Sequence, residues 1–272
     1  MRTSSNPAFR NLPTSPGGYA RFGDAAGAPA GGIGLGGQGY GAPGGRGPMA
    51  GAGDRPLTVD DVVQKTALNA AIALGVGVLT AISGFYALGL LGFVVGLVVA
   101  LVIIFRRKAN PALVITYSIA EGMALGAVTG ALEASDSRYA GIGFQAILGV
   151  AGVFIGMLVV YKTGAIRVTP RLTRMVIGAL IGVVVLIIAN VLVGLFVPGG
   201  LGLQDGSPLA YVFSLVCIGI GAFMLLLDFD QADQAVKAGV PARFAWYLAF
   251  GFMTTLVWLY IEILRLLSYL RN

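Results

Sequence analysis

The sequence predicts an all-α polytopic membrane protein: a bundle of seven transmembrane helices behind a disordered N-terminal tail rich in Gly, Ala and Pro. Three observations carry that expectation. Hydrophobic residues fill 57% of the 272 positions and charged residues only 11%, too little charge to cover a soluble domain. The apolar residues come in runs long enough for the ~20-residue crossings a bilayer demands. Lys and Arg collect at alternate junctions between those runs, as they do in loops retained on the cytoplasmic side.

Residues 1–56 have too few large apolar side chains to offset the entropy of ordering, so they read as a disordered cytoplasmic tail, leaving 57–272 as the membrane domain. No apolar stretch follows the basic start, which argues against a cleaved signal peptide. Thr58 before VDDVVQK is an N-cap followed by acids in the first turn, the favourable sense for the helix dipole. Residues 66–105 are apolar for about twice one crossing, so they must form two spans, with the turn at 83–89. Arg106, Arg107 and Lys108 close the second span. Asn110-Pro111 opens the third, which runs to about Leu132. A fourth covers about 141–161 and ends at Lys162. Lys162, Arg167, Arg171 and Arg174 mark the next junction, followed by a fifth span over 175–197 that Pro198-Gly199-Gly200 stops. The sixth begins at Pro208 and continues until Gly239 and Pro241 break it, and the seventh runs from about Ala245 to Leu270. This places the N-terminus in the cytoplasm and the protein in the plasma membrane.

Glycines recur at fourfold spacing, at Gly92 and Gly96, at Gly122, Gly126 and Gly130, at Gly152 and Gly156, and at Gly178 and Gly182. Such pairs let helix backbones approach closely in lipid, so they read as packing faces. They are no phosphate loop, which would need a preceding strand. The net charge of +6 is scattered over loop ends with no basic helix, which excludes a nucleic-acid partner. One cysteine, Cys217, leaves no disulfide, redox pair or zinc cluster, and no cofactor is implied. Histidine is absent, which removes the usual neutral-pH switch and leaves any pH response to carboxylates.

Those carboxylates are the candidate functional residues, because an ionisable group within a span is costly and marks a site by default. Glu121 lies near the middle of span three, with Gly122 and Gly126 beside it to bring other helices close, and is a candidate for the ion pathway. Span six offers Asp228 and Asp230, about 200° apart on the helical wheel. Asp228 stacks with Met224 and Leu225 and is the better choice for the interior, whereas Asp230 aligns with Asp233 and Gln234 on the solvated side. Glu262 lies well inside span seven; an ion pair with Arg265, one turn on, is its structural alternative. Two carboxyls brought together in a low-dielectric bundle share a proton and titrate as a pair, a pH sensor without histidine.

Several stretches are similar to one family: VVQKT before span one, ITYSIAEGMALGAVTG in span three, LLLD in span six and VWLYIEILRLL in span seven. They resemble the transmembrane Bax inhibitor motif family, also called Bax inhibitor-1 or YccA-like, over about residues 58–270, in the form of a bacterial member. The resemblance implies seven helices with the last one central. It also implies a pH-sensitive calcium leak gated by an acidic pair, Asp228 (or Asp230) with Glu262. The chain departs from the family pattern in carrying glutamate at Glu262, where aspartate is usual, and in a longer segment between the two acids. Their contact therefore requires the intervening DQADQAVKAGVPARFAW to be irregular or interfacial. A latching arginine has no counterpart in span two.

The leading expectation is therefore a non-enzymatic, pH-sensitive passive leak for cations, calcium foremost, with weak contact at Asp228 and Glu262 and no tightly bound metal. The alternative is a regulator that modulates a membrane protease or other membrane partners, docking through the tail and the packing faces. An intramembrane aspartyl protease would need a GxGD context that YIEI lacks, and a serine protease would need a histidine.

Overall fold

The computed structural model describes residues 55–106, 110–197, 199–203 and 205–271. The expected tail thus lies outside the described residues except for Arg55 and Pro56, as do Arg107, Lys108 and Pro198. Among the described residues, seven helices are long and apolar enough to cross a membrane. They are α1 (Val59–Ser83), α2 (Leu88–Arg106), α3 (Pro111–Ser135), α4 (Ile142–Thr163), α5 (Pro170–Gly194), α6 (Pro208–Lys237) and α7 (Ala245–Leu270). The protein is a multi-pass membrane protein.

Local chemistry explains the ends. Thr58 caps α1 as expected, its hydroxyl accepting from Asp61 N while the Asp61 carboxylate accepts from Thr58 N. Gly84 (φ 73°) turns the chain out of α1 in the left-handed region that suits glycine. Asn110, Thr169 and Ser207 cap α3, α5 and α6, each with proline at the first helical position, where no amide proton is needed. Arg55 and Pro56 join the bundle: Leu57 N donates to Val240 O at 2.8 Å, and Ala242 N donates to Arg55 O at 3.0 Å. The Arg55 guanidinium holds Asp61 with both arms, at 2.5 and 2.7 Å. The first of the described residues are thereby tied to the α6–α7 connection.

Helices α3 and α7 occupy the centre. Half of the most apolar stretch of α3 and 61% of that of α7 are buried, against 17% in α1, α2, α4 and α5. Helix α3 lies parallel to α1 at a fixed register: Asn69 meets Ser118, Ala73 meets Gly122, Gly77 meets Gly126 and Ala81 meets Gly130, always 49 residues apart. A methyl group on Gly126 would come within 2.1 Å of Gly77 O, so that backbone contact requires glycine at Gly126. Gly92 and Gly96 give α2 the same close approach to the other side of α3. The remaining fourfold pairs behave differently. Among the described residues, nothing lies within 4 Å of where a side chain would begin at Gly152, Gly156, Gly178 or Gly182. The expectation of a packing face fails there because these glycines, two on α4 and two on α5, are exposed and turned away from neighbouring helices.

Helices α6 and α7 form an antiparallel hairpin through a short turn at residues 238–244. Phe229, Leu225, Leu248, Phe252 and Leu259 fill its core, and Phe154 of α4 packs edge-on against Phe229 with ring centroids 5.2 Å apart.

Candidate functional site

The α6–α7 hairpin carries three of the four carboxylates singled out from the sequence, and its register decides what each can touch. Asp228 points across the hairpin to α7, where Thr255 Oγ1 donates to its Oδ2 at 2.6 Å. Gly251, one turn before Thr255 on α7, faces the same carboxylate. Asp230 stays on its own helix, accepting from Gln234 Nε2 at 2.5 Å. The helical-wheel reading of their directions thus matches the geometry: Asp228 turns to its neighbour and Asp230 does not.

Glu262 is fully inside the protein, 2% exposed, and both its oxygens accept from Arg265 Nη1, at 3.0 and 3.2 Å. The structure does not bring Asp228 and Glu262 together. Helix α6 continues unbroken to Lys237 and α7 starts at Ala245, so the segment between the acids is regular helix through most of its length. In an antiparallel hairpin, residues equally far from the turn face one another. Asp228 therefore meets the level of Gly251 and Thr255, and Glu262 lies seven residues further along α7, about 10 Å at 1.5 Å per residue. Its neighbours are Arg265 and the Cys217 region of α6 instead.

Glu121 is half-buried on α3 against α2, its Oε1 only 2.9 Å from where a side chain on Gly96 would begin. The Tyr117 phenol, one turn earlier on the Glu121 side of α3, donates to Thr254 Oγ1 at 3.5 Å, a long and weak contact. Thr254 and Thr255 are adjacent on α7. The central helix thus presents one hydroxyl toward the Glu121 side and the next toward Asp228.

A family model described as Bax inhibitor 1 like matches residues 6–272. The chain belongs to that family. No curated protein matches it significantly. The family match begins at residue 6, so the Gly-rich segment, which the resemblance left outside, lies within the family's span.

For this Bax inhibitor 1 like chain, two site residues escaped the sequence reading: Thr255 and Thr254. A threonine in an apolar helix ordinarily reads as bonded to the carbonyl four residues back, and both do approach one, Phe250 O at 3.0 Å and Gly251 O at 3.4 Å. Counting outward from the hairpin turn would have found Thr255 opposite Asp228.

Further polar contacts join α6 and α7 away from the turn. Tyr211 OH donates to Tyr269 O at 2.5 Å, and Trp258 Nε1 donates to Cys217 O at 3.2 Å. Arg271 bridges Arg138 O, Ala140 O and Gln145 Oε1. In the loops there, the backbone amide and hydroxyl of Ser207 hold the Asp205 carboxyl below its usual range, and Arg138 does the same for Asp136. Among the described residues, no three or more acidic, cysteine or histidine side chains stand close enough to form a metal cage.

Proposed function

We propose that this protein is a non-enzymatic, pH-sensitive passive cation leak, with calcium the favoured ion and the Asp228–Thr255 contact as its gate. The observation that carries the reading is a carboxylate within a span whose hydrogen-bond partner belongs to a different helix. Among the described residues Thr255 is the one side chain hydrogen-bonded to Asp228, and no basic side chain is paired with it. A lone carboxylate in a dry bundle costs several kcal/mol when ionised, and water or a cation relieves that cost. Its charge state thus biases the α6–α7 contact between dry and hydrated forms, a local electrostatic event acting on a bistable element. A hard divalent ion needs six or more oxygens, and here it would meet one carboxylate, a hydroxyl and water. Weak contact of that kind suits passage better than storage.

Glu262 is assigned away from the gate, as the buried member of an ion pair that anchors α7. Glu121, packed against α2 and reached from α7 through Tyr117, is the second pathway carboxylate. The reading places the protein in the plasma membrane with its N-terminus cytoplasmic, because the basic residues at the ends of α2, α4 and α6 and the start of α5 all lie on the N-terminal side. Membrane-impermeant labelling of Arg171→Cys and Gly202→Cys from opposite faces checks that orientation.

The decisive experiment is calcium flux into proteoliposomes of the purified full chain across pH. Asp228→Asn should conduct with a flattened pH profile. A wild-type profile in that variant sinks the gate.

One observation favours a second reading, the membrane-protein regulator. Arg55, immediately after the Gly-rich segment, is bonded to the α6–α7 connection, so a partner holding the tail would pull on the hairpin. Deletion of residues 1–54 separates the two readings, since it spares a leak and abolishes docking through the tail.

A further inference from the structure

Helices α1 and α4 form the facing walls of an apolar groove of about 920 Å³, floored by α3, α6 and α7. That volume is at the upper end of the ~300–1,000 Å³ usual for small-molecule sites. The lips lie on the outside of the bundle: Val63 and Val78 of α1 and Ile155 of α4 are 58%, 53% and 60% exposed. The floor is core, with Phe252 and Met253 at 4% and 3%. Along α1 the lining runs from Val59 to Ile82, nearly the whole span. An apolar concavity within the bilayer excludes water, since water there would lack polar partners.

Charge distinguishes the two ends. Lys162 lines one end, at the junction that also carries Arg167, Arg171 and Arg174. At that end Asp233 also lines the groove, engaged by Lys237 at 2.5 Å and within electrostatic reach of Lys162, so two cations there face one acid. Glu133 lines the other end, its Oε1 accepting from Gly143 N at 3.0 Å.

We propose that the groove binds one phospholipid, its phosphate at Lys162 and an acyl chain along α1 and α4. The balance of charge fixes the orientation: Lys162 and Lys237 outnumber Asp233 at one end, whereas Glu133 at the other would repel a phosphate placed there. A lipid reaches this site sideways from the bilayer, with no need for a protein partner.

The test is native mass spectrometry of the full chain in mild detergent with added dioleoyl phosphatidylglycerol. Wild type and the control Val185→Trp, on the exposed face of α5, should each retain one phospholipid under conditions that strip the rest. Ala151→Trp, which fills the groove from α4, should lose it. Lys162→Gln should bind about tenfold more weakly, the loss expected for one charge-assisted hydrogen bond. Deacylated glycerophosphoglycerol should not bind, because the chain supplies the apolar contact. Equal retention in Ala151→Trp and wild type overturns the proposal, as does unchanged affinity in Lys162→Gln. A groove-dependent dimer, lost in Ala151→Trp, would assign the groove to a second copy and also overturn it. Should Ala151→Trp fail to fold, wild type decides alone: retention of the diacyl lipid with rejection of its headgroup supports the site, and no retention removes it.

Discussion

Asp228 and Glu262 lie on the two strokes of one helical hairpin, and they differ in where each finds its partner. Glu262 is compensated within its own helix: Arg265 is one turn away, and the pair keeps its geometry however α7 moves. Asp228 depends on a residue of another helix, so its environment changes as soon as α6 and α7 shift. An intrahelical partner insulates a charge from conformation. A partner across an interface couples the two.

The largest effect should come from breaking the insulated pair. Arg265→Met leaves Glu262, 2% exposed, without its cation, and removing one member of a buried pair costs about 3–5 kcal/mol. Chemical unfolding in detergent would read this, and the double variant Glu262→Gln/Arg265→Met should recover most of the loss. An Arg265→Met protein as stable as wild type would mean that Glu262 does not rely on the pair.

Next in size is the interhelical contact. Thr255→Val keeps the shape and removes the donor, which for a bond to a charged group is worth about 1.5–3 kcal/mol. Thr255→Val should shift the pH profile of calcium flux, and Thr255→Ser should restore it. A shift in stability with no shift in the profile would make Thr255 a packing residue and dissolve the gate.

The separation of the two acids is itself testable. Sites more than about 7–10 Å apart with no shared partner add to within about 0.5 kcal/mol. Asp228→Asn and Glu262→Gln should therefore be additive in stability, whereas a shared proton would make the double variant no worse than either single.

That last point marks where sequence reasoning stopped. The spans, their caps and their junctions were legible because length, Pro-Ser-Thr-Asn chemistry and basic residues are local signals, and Thr58, Asn110 and Pro208 stand where those signals put them. The direction of Asp228 was legible too, since Leu225 and Met224 beside it mark the inward face. Its partner was not. The family resemblance pointed to a second acid, whereas the hairpin register points to Thr255, and register depends on where α6 ends rather than on any residue near Asp228. The glycines show the same limit. Gly126 and Gly156 carry one spacing signal, and only the tertiary neighbour tells a sealed backbone contact from an open face.

The smallest effect should come from Asp230, two residues from Asp228 and facing away from α7. Its carboxylate accepts from Gln234 on the same helix, and such a pair contributes about 0.2–0.5 kcal/mol. Asp230→Asn should therefore change stability by no more than that, because asparagine still offers Gln234 an acceptor. Its flux should follow the wild-type pH profile, because Asp230 has no partner on α7 whose position its charge could bias. The variant is the sharpest control on the comparison, since it removes an equal charge at nearly equal depth. If Asp230→Asn flattens the profile and Asp228→Asn does not, contact across helices is not what makes a carboxylate in this hairpin responsive. If both flatten it, the summed charge at that end of α6 is being sensed, and Thr255 loses its role as the coupling residue.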